Sequence, residues 1–145
     1  MTVTIEAVDP AHPDFSVMWG EAWQELMADN SYIGSAPSCT HPICLLVRQD
    51  AAPVGIRVYG SRGEIATGQM TYVRKPHRQQ SVCDDSWLLT KDYLRSLGYG
   101  TLEYTIAKTA IAMKAACDKR GDQKIADLYL DGTDTLTGYR YQTSL

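Results

Sequence analysis

Tyr72-Val73-Arg74-Lys75-Pro76-His77-Arg78-Gln79-Gln80-Ser81-Val82-Cys83-Asp84-Asp85 reads as the end of a strand, a basic loop and the start of a helix. A helix entered from such a loop has first amides without intrahelical acceptors, at the end where its dipole favours an anion. Arg74, Lys75 and Arg78 add positive charge, so a phosphate group is first expected here. The same residues carry a ligand-free alternative. Ser81 followed three places on by Asp84 has the spacing of a capping box, and Asp84 and Asp85 suit a helix start by themselves.

Upstream, residues 64–73 read as the strand that enters the loop, after a turn at Ser61-Arg62-Gly63. Two β-branched apolar runs, 43–48 and 54–59, joined by Gln49-Asp50-Ala51-Ala52-Pro53, predict a hairpin. Segment 31–42 is rich in Ser, Gly, Pro and Thr and predicts a loop or short distorted helix. Before it, Phe15, Met18, Trp19, Ala22, Trp23, Leu26 and Met27 recur at helical spacing, which predicts a helix capped by Asp14 and ending near Asn30. Residues 2–8 alternate as a first strand. Downstream, 82–97 reads as a helix with Trp87, Leu88, Leu94 and Leu97 on one side, closed by Gly98 and Gly100. A strand at 101–106, an Ala-rich helix at 107–120 stopped by Gly121, and strands at 124–130 and 136–141 complete the chain.

At 145 residues the chain is expected to be a single domain, 1–145. A net charge of -3 argues against nucleic-acid binding by bulk charge. The longest apolar run, 43–47, is far too short to cross a bilayer, and the N-terminus lacks a signal-peptide pattern, so a cytoplasmic, membrane-free protein is expected. Cys39, Cys44, Cys83 and Cys117 have no repeating spacing, which favours reduced thiols over a disulfide framework. Cys39, His41 and Cys44 lie close together but lack a second ligand pair at zinc-site spacing, so no metal is expected.

The spacing Arg78-x-x-Ser81-x-Cys83, after the Tyr72-Val73 strand, resembles the pyrophosphate-binding motif of the GNAT acetyltransferase superfamily, in which small residues stand where Ser81 and Cys83 stand here. Leu46-Val47-x-x-Asp50-x-x-Pro53-Val54-Gly55 is similar to the second and third GNAT strands, and the element order matches that fold throughout. The resemblance implies an α+β, three-layer GNAT-like fold, with a mixed, mostly antiparallel sheet of about six to seven strands flanked by helices. It implies acetyl-CoA, or another acyl-CoA, lying between the strand ending at Val73 and the strand beginning at Thr101. Tyr72, Val73 and Arg74 would then meet the pantetheine arm, and Arg78, Gln79, Gln80, Ser81, Val82 and Cys83 the pyrophosphate.

Acyl transfer to an amine needs a base for the ammonium proton and an acid for the thiolate. The resemblance puts the base at Glu64. The family's usual acid, a Tyr in the last helix, has no counterpart in 107–121, where Cys117 is the nearest substitute; Tyr104, Tyr139 and Tyr141 are the other hydroxyl sources. The first functional expectation is an acyl-CoA-dependent N-acyltransferase acting on an amine of a small molecule, peptide or protein. The second is a catalytically inactive GNAT-fold binding or structural protein, similar in size to degenerate GNAT-like proteins encoded by phages, with a homo-oligomer or virion proteins as partners. Ser81, Cys83 and the missing Tyr motivate it.

Overall fold

The structure, a computed structural model, describes residues 1–29 and 36–145. The elements are β1 (Val3–Ala7), α1 (Pro13–Asp29), β2 (Ile43–Gln49), β3 (Ala52–Arg62), β4 (Ile65–Val73), a 3₁₀ turn (Lys75–His77), α2 (Val82–Ser96), β5 (Thr101–Ala107), α3 (Ile111–Arg120), β6 (Gln123–Tyr129) and β7 (Leu136–Ser144). The strands form a seven-stranded sheet in the order β1-β2-β3-β4-β5-β7-β6. Pairing is antiparallel between β1 and β2, β2 and β3, β5 and β7, and β6 and β7, and parallel between β4 and β5. The expected order and the mixed sheet are both present. Of the loop expected at 31–42, residues 36–42 carry neither helix nor strand; the part at 31–35, with Tyr32 and Ile33, and the helix end at Asn30 lie outside the described residues.

The chain packs as two compact units. The first is Met1–Gly60 with Gln69–Tyr93. In it α1 starts one residue before the expected cap. His12, not Asp14, caps the helix: its Nδ1 accepts the Asp14 amide at 3.2 Å and its carbonyl accepts the Ser16 amide at 2.8 Å. Pro13 then takes the first helical position, where its missing N–H leaves nothing unpaired. Phe15, Met18 and Trp19 pack on Cys44, Leu46, Ile56 and Val58, which alternate along their strands and so share one face. Each such apolar side chain contributes about 1.5–3 kcal/mol when fully buried.

The β2–β3 hairpin turns through Asp50 (φ 51°) and Ala51 (φ 71°), the two left-handed residues that suit a tight hairpin. Val82, the first residue of α2, packs with Val47 and Val54. The buried positions of α2 are Val82, Ser86, Thr90 and Leu94, four residues apart. This corrects the expected face: Leu88 and Leu97 are 62% and 48% exposed, while two hydroxyl residues face inward.

The second unit is Ser61–Gly68 with Leu94–Leu145. β4 pairs with β5 from Ile65↔Thr101 to Thr67↔Glu103, and β7 lies between β5 and β6. Ile106, Cys117 and Tyr141 form its core. α3 begins at Ile111 rather than 107, because strand pairing claims the earlier residues: Ala107 faces Gly138, and the Lys108 amide reaches the Thr137 carbonyl at 3.0 Å. A side chain at Gly138 would collide with the Ile106 carbonyl, so this close strand contact admits only glycine. α3 ends at Gly121 (φ 86°), whose amide returns to the Cys117 and Asp118 carbonyls. No helix among the described residues is long and apolar enough to cross a membrane.

Candidate functional site

The 3₁₀ turn follows β4 directly. The His77 amide bonds the Arg74 carbonyl at 2.9 Å and the Arg78 amide bonds the Lys75 carbonyl at 3.1 Å, which uses up the loop's first donors. The Arg74 amide is also engaged, by the Val54 carbonyl at 2.9 Å. Beyond Arg78 the pattern changes. Gln79 (φ 63°) and Ser81 (φ 64°) are both left-handed, and the next bonded amide is that of Asp85, to the Ser81 carbonyl at 2.9 Å. Among the described residues the amides from Gln79 to Asp84 have no protein acceptor. Successive amides turned by left-handed residues form the kind of concavity that takes an anion.

Ser81 therefore holds a glycine-like conformation without being glycine, at roughly 1–2 kcal/mol of local strain. The capping box read from Ser81 and Asp84 does not form: a left-handed Ser81 lacks the extended geometry of an N-cap, and its hydroxyl has no partner among the described residues. Ser81, Cys83, Asp84 and Asp85 are all exposed.

The loop's arginines are already paired, within the first unit, by two carboxylates one helical turn apart on α1. Glu21 receives Arg74 Nε and Nη2, both at 3.0 Å, and Glu25 receives Arg78 Nη2 at 2.8 Å. Arg78 Nε also donates to the Val73 carbonyl at 2.7 Å, and its guanidinium stands 5.7 Å from the Tyr72 ring centre. The Arg78 hydrogen bond holds the Glu25 carboxyl below its ordinary range, and the Glu21 bond raises Arg74. Burial, then the two glutamates, push the Tyr72 hydroxyl up. All four charged side chains are about one-third exposed, so each pair is worth about 0.2–1 kcal/mol. Lys75 is exposed and has no ion pair among the described residues. A cavity of about 250 Å³ adjoins the pairs, lined by Ala22, Glu25, Leu26, Met70, Tyr72 and Arg78 among others. Sequence reading missed Glu21 and Glu25; their i,i+4 spacing was the available signal.

Behind the front of α2 lies Arg57, 5% exposed on β3. Its Nη2 donates to the Cys83 carbonyl at 2.7 Å, Nε to Ser86 Oγ at 3.0 Å and Nη1 to the Tyr59 hydroxyl at 3.2 Å, with the Trp87 ring centre 5.8 Å away. These partners are neutral. With no carboxylate partner among the described residues, this buried guanidinium is costly, and it leaves positive charge behind the open amides. It also explains the polar inner face of α2. Ser86 and Thr90 answer buried polar groups: Ser86 serves Arg57, and Thr90 Oγ1 returns to the Ser86 carbonyl at 2.7 Å. The signal was an Arg inside the apolar run 54–59.

In the second unit, Glu64 is exposed in the turn between β3 and β4, one residue before the strand expected to carry it. Cys117 is fully buried on α3, and burial pushes its thiol up. Beside it the Tyr104 hydroxyl donates a hydrogen bond to Asp122, which Arg120 pairs at 2.8 Å. The Tyr141 hydroxyl donates to Asp118 at 2.7 Å, and the Tyr104 and Tyr141 rings stack at 5.9 Å. Burial, then Asp122, raises Tyr104 far above the ordinary tyrosine range. Tyr139 is flanked by Lys114 and Lys124, each 5.4 Å from its ring centre. No group of three or more His, Cys, Asp or Glu among the described residues could hold a metal ion.

No family model and no curated protein matches the sequence. Solved structures do match over essentially the whole chain. Ard1 from Thermoplasma volcanium is 14% identical with a TM-score of 0.76, covering 100% of this chain and 99% of its own. An acetyltransferase from Bacillus subtilis, solved in complex with CoA, is 14% identical with a TM-score of 0.73 and 99% coverage of both chains. A GNAT family acetyltransferase from Elizabethkingia anophelis, with acetyl-CoA bound, is 12% identical with a TM-score of 0.72, covering 99% of this chain and 98% of its own.

Proposed function

This chain has the GNAT acyl-CoA N-acyltransferase fold, and from that premise we propose that it is an acyl-CoA-dependent N-acyltransferase, moving an acetyl group from acetyl-CoA to an amine of a small molecule, peptide or protein. The observation that carries the reading is the run of amides from Gln79 to Asp84 without a protein acceptor, backed by the buried Arg57 cation. Both fit a diphosphate: amides bond its oxygens, and a fixed cation offsets its charge. Ser81 fits the small-residue position because it takes the left-handed conformation and leaves its short side chain in solvent. Lys75 supplies an accessible cation at the loop.

In the reaction the amine nitrogen attacks the thioester carbonyl, the C–N bond forms, the C–S bond breaks, and the nitrogen loses a proton while the thiolate gains one. Glu64 is proposed as the base, taking the ammonium proton through solvent from its exposed turn. Cys117 is proposed as the acid, as the nearest substitute on α3 for the family's Tyr. Calorimetry with acetyl-CoA and with desulfo-CoA tests the reading. Saturable binding of both at one site is expected, and the absence of heat and of any thermal shift at millimolar cofactor would remove the proposal.

A second reading, a GNAT-fold binding protein without catalysis, is favoured by the two ion pairs that engage Arg74 and Arg78. Acetyl-CoA binding without release of CoA in the presence of an amine panel would select it. Turnover that Glu64→Gln lowers by about a hundredfold would select the enzyme.

A further inference from the structure

Outside the loop, one pair of reactive groups in the first unit is used by nothing described so far. Cys39 Sγ and Cys44 Sγ are 3.7 Å apart, in van der Waals contact, and both are free thiols. They differ in setting. Cys44 is 3% exposed at the start of β2, within the cluster of Phe15, Met18 and Trp19. Cys39 lies partly exposed on irregular backbone just before the strand. That backbone is tethered near the core: Trp19 Nε1 donates to the Pro37 carbonyl at 2.7 Å, and Cys44 Sγ donates to the His41 carbonyl at 3.4 Å. One thiol is thus reachable from solvent, the other sits directly behind it, and the described residues 36–42 that carry the first belong to no helix or strand whose pairing would oppose a small approach.

We propose that Cys39 and Cys44 form a redox-active dithiol that reacts with low-molecular-weight disulfides of the glutathione class and closes to an intrachain disulfide. Cys39, as thiolate, attacks one sulfur of glutathione disulfide; the reagent's S–S bond breaks, a mixed disulfide forms on Cys39, and one glutathione thiolate leaves and is protonated. Cys44 then attacks Cys39 Sγ, giving its proton to the departing second glutathione. The two protein thiols lose two electrons in all, and one glutathione disulfide becomes two glutathione thiols. The order of attack follows from access and acidity: burial, then the contact with Cys39, pushes the Cys44 thiol up to about 12, so it is a poor first nucleophile. The bland alternative is that both sulfurs merely pack as small apolar groups.

The chain carries its own references. Cys83 is exposed, and its only described sulfur contact is Arg57 Nη2 at 3.5 Å; Cys117 is fully buried. The full chain, reduced and then equilibrated in glutathione buffers of rising disulfide content, is acid-quenched, alkylated and mapped by peptide mass spectrometry. The expected result is a linked Cys39–Cys44 peptide at least tenfold earlier in disulfide content than the glutathione adduct on Cys83, with Cys117 unmodified. Cys44→Ser is expected to trap Cys39 as its glutathione adduct. The proposal is overturned if Cys39 and Cys44 stay as thiols, or Cys39 stops at the adduct, in the unaltered chain when Cys83 is fully modified. That readout needs no variant to fold.

Discussion

The fronts of α2 and α3 meet the same requirement in opposite ways. A helix start has amides without intrahelical acceptors, and neither helix covers them with a side-chain cap: Ala110 stands at the cap position of α3, and Ser81 precedes α2 with its hydroxyl unused. At α3 the chain closes part of the gap itself. The Ala110 amide bonds the Ala107 carbonyl and the Ile111 amide bonds the Thr109 carbonyl, both at 3.0 Å, so among the described residues only the Ala112 and Met113 amides precede the first intrahelical bond, from Lys114 to Ala110, without an acceptor. At α2, left-handed Gln79 and Ser81 carry the backbone away from such turns, the amides through Asp84 stay without a protein acceptor, and Arg57 is buried behind them. A helix terminus becomes a candidate anion site when the preceding loop declines to close on it; the dipole alone, common to both helices, does not distinguish them.

The comparison is broken most forcefully at Arg57. Arg57→Met removes the donor to the Cys83 carbonyl, Ser86 and Tyr59; a stability loss of about 2 kcal/mol by urea unfolding is expected. Acetyl-CoA affinity is expected to fall about tenfold or more by calorimetry, with partial recovery in Arg57→Lys. Unchanged affinity in a folded Arg57→Met chain would falsify the link between the buried cation and the open amides. Ser81→Gly relieves the left-handed strain while loosening the unfolded chain, so a gain of about 0.5 kcal/mol with no loss of cofactor binding is expected. A destabilised Ser81→Gly would instead mean that the serine side chain supports the loop.

Smaller effects sharpen the contrast. Asp84→Asn takes one charge from the first turn of α2: about 0.3–0.5 kcal/mol of helix stability goes, and acetyl-CoA should bind more tightly, since a like charge leaves the anion's side. The smallest effect is pH-dependent. The folded Glu25 carboxyl is held below its ordinary 4.5, so its contribution is present above the unfolded value and is lost as pH falls through the lowered folded value. With both partners about one-third exposed, only a few tenths of a kcal/mol are at stake. The stability gap between the unaltered chain and Glu25→Gln, followed by thermal unfolding, should therefore close on acidification below 4.5 and reopen toward neutrality.

Local periodicity made the element order readable. The continuous apolar run at 43–47 and helical recurrence from Phe15 to Met27 are signals that tertiary contacts reinforce. The misreadings came where a distant partner decides. Asp14 has a cap's chemistry, but Pro13 fixes the first helical position and leaves His12 the role. Leu88 was expected on the buried side, where Ser86 stands instead; the choice belongs to Arg57, whose hydrogen bonds need hydroxyls and carbonyls along the inner face of α2. At the loop, residue spacing pointed to the motif, whereas the engagement of Arg74 and Arg78 depends on α1 carboxylates more than fifty residues away in sequence. Glu64 and Cys117 were reached through family resemblance; one stands in an exposed turn and the other in a packed interior, and the acid and base roles rest on kinetics of their variants.

Arg57 has one more consequence. Lysine or histidine in its place could lose a proton, and the charge behind the helix would then follow the acidity of the surroundings; a guanidinium does not release its proton in the range where proteins survive. Because that charge is also shielded from dissolved salt, Arg57's own share in holding an anion on this helix should not change with acidity, and any pH dependence of binding should come from the loop's exposed groups and from the anion itself.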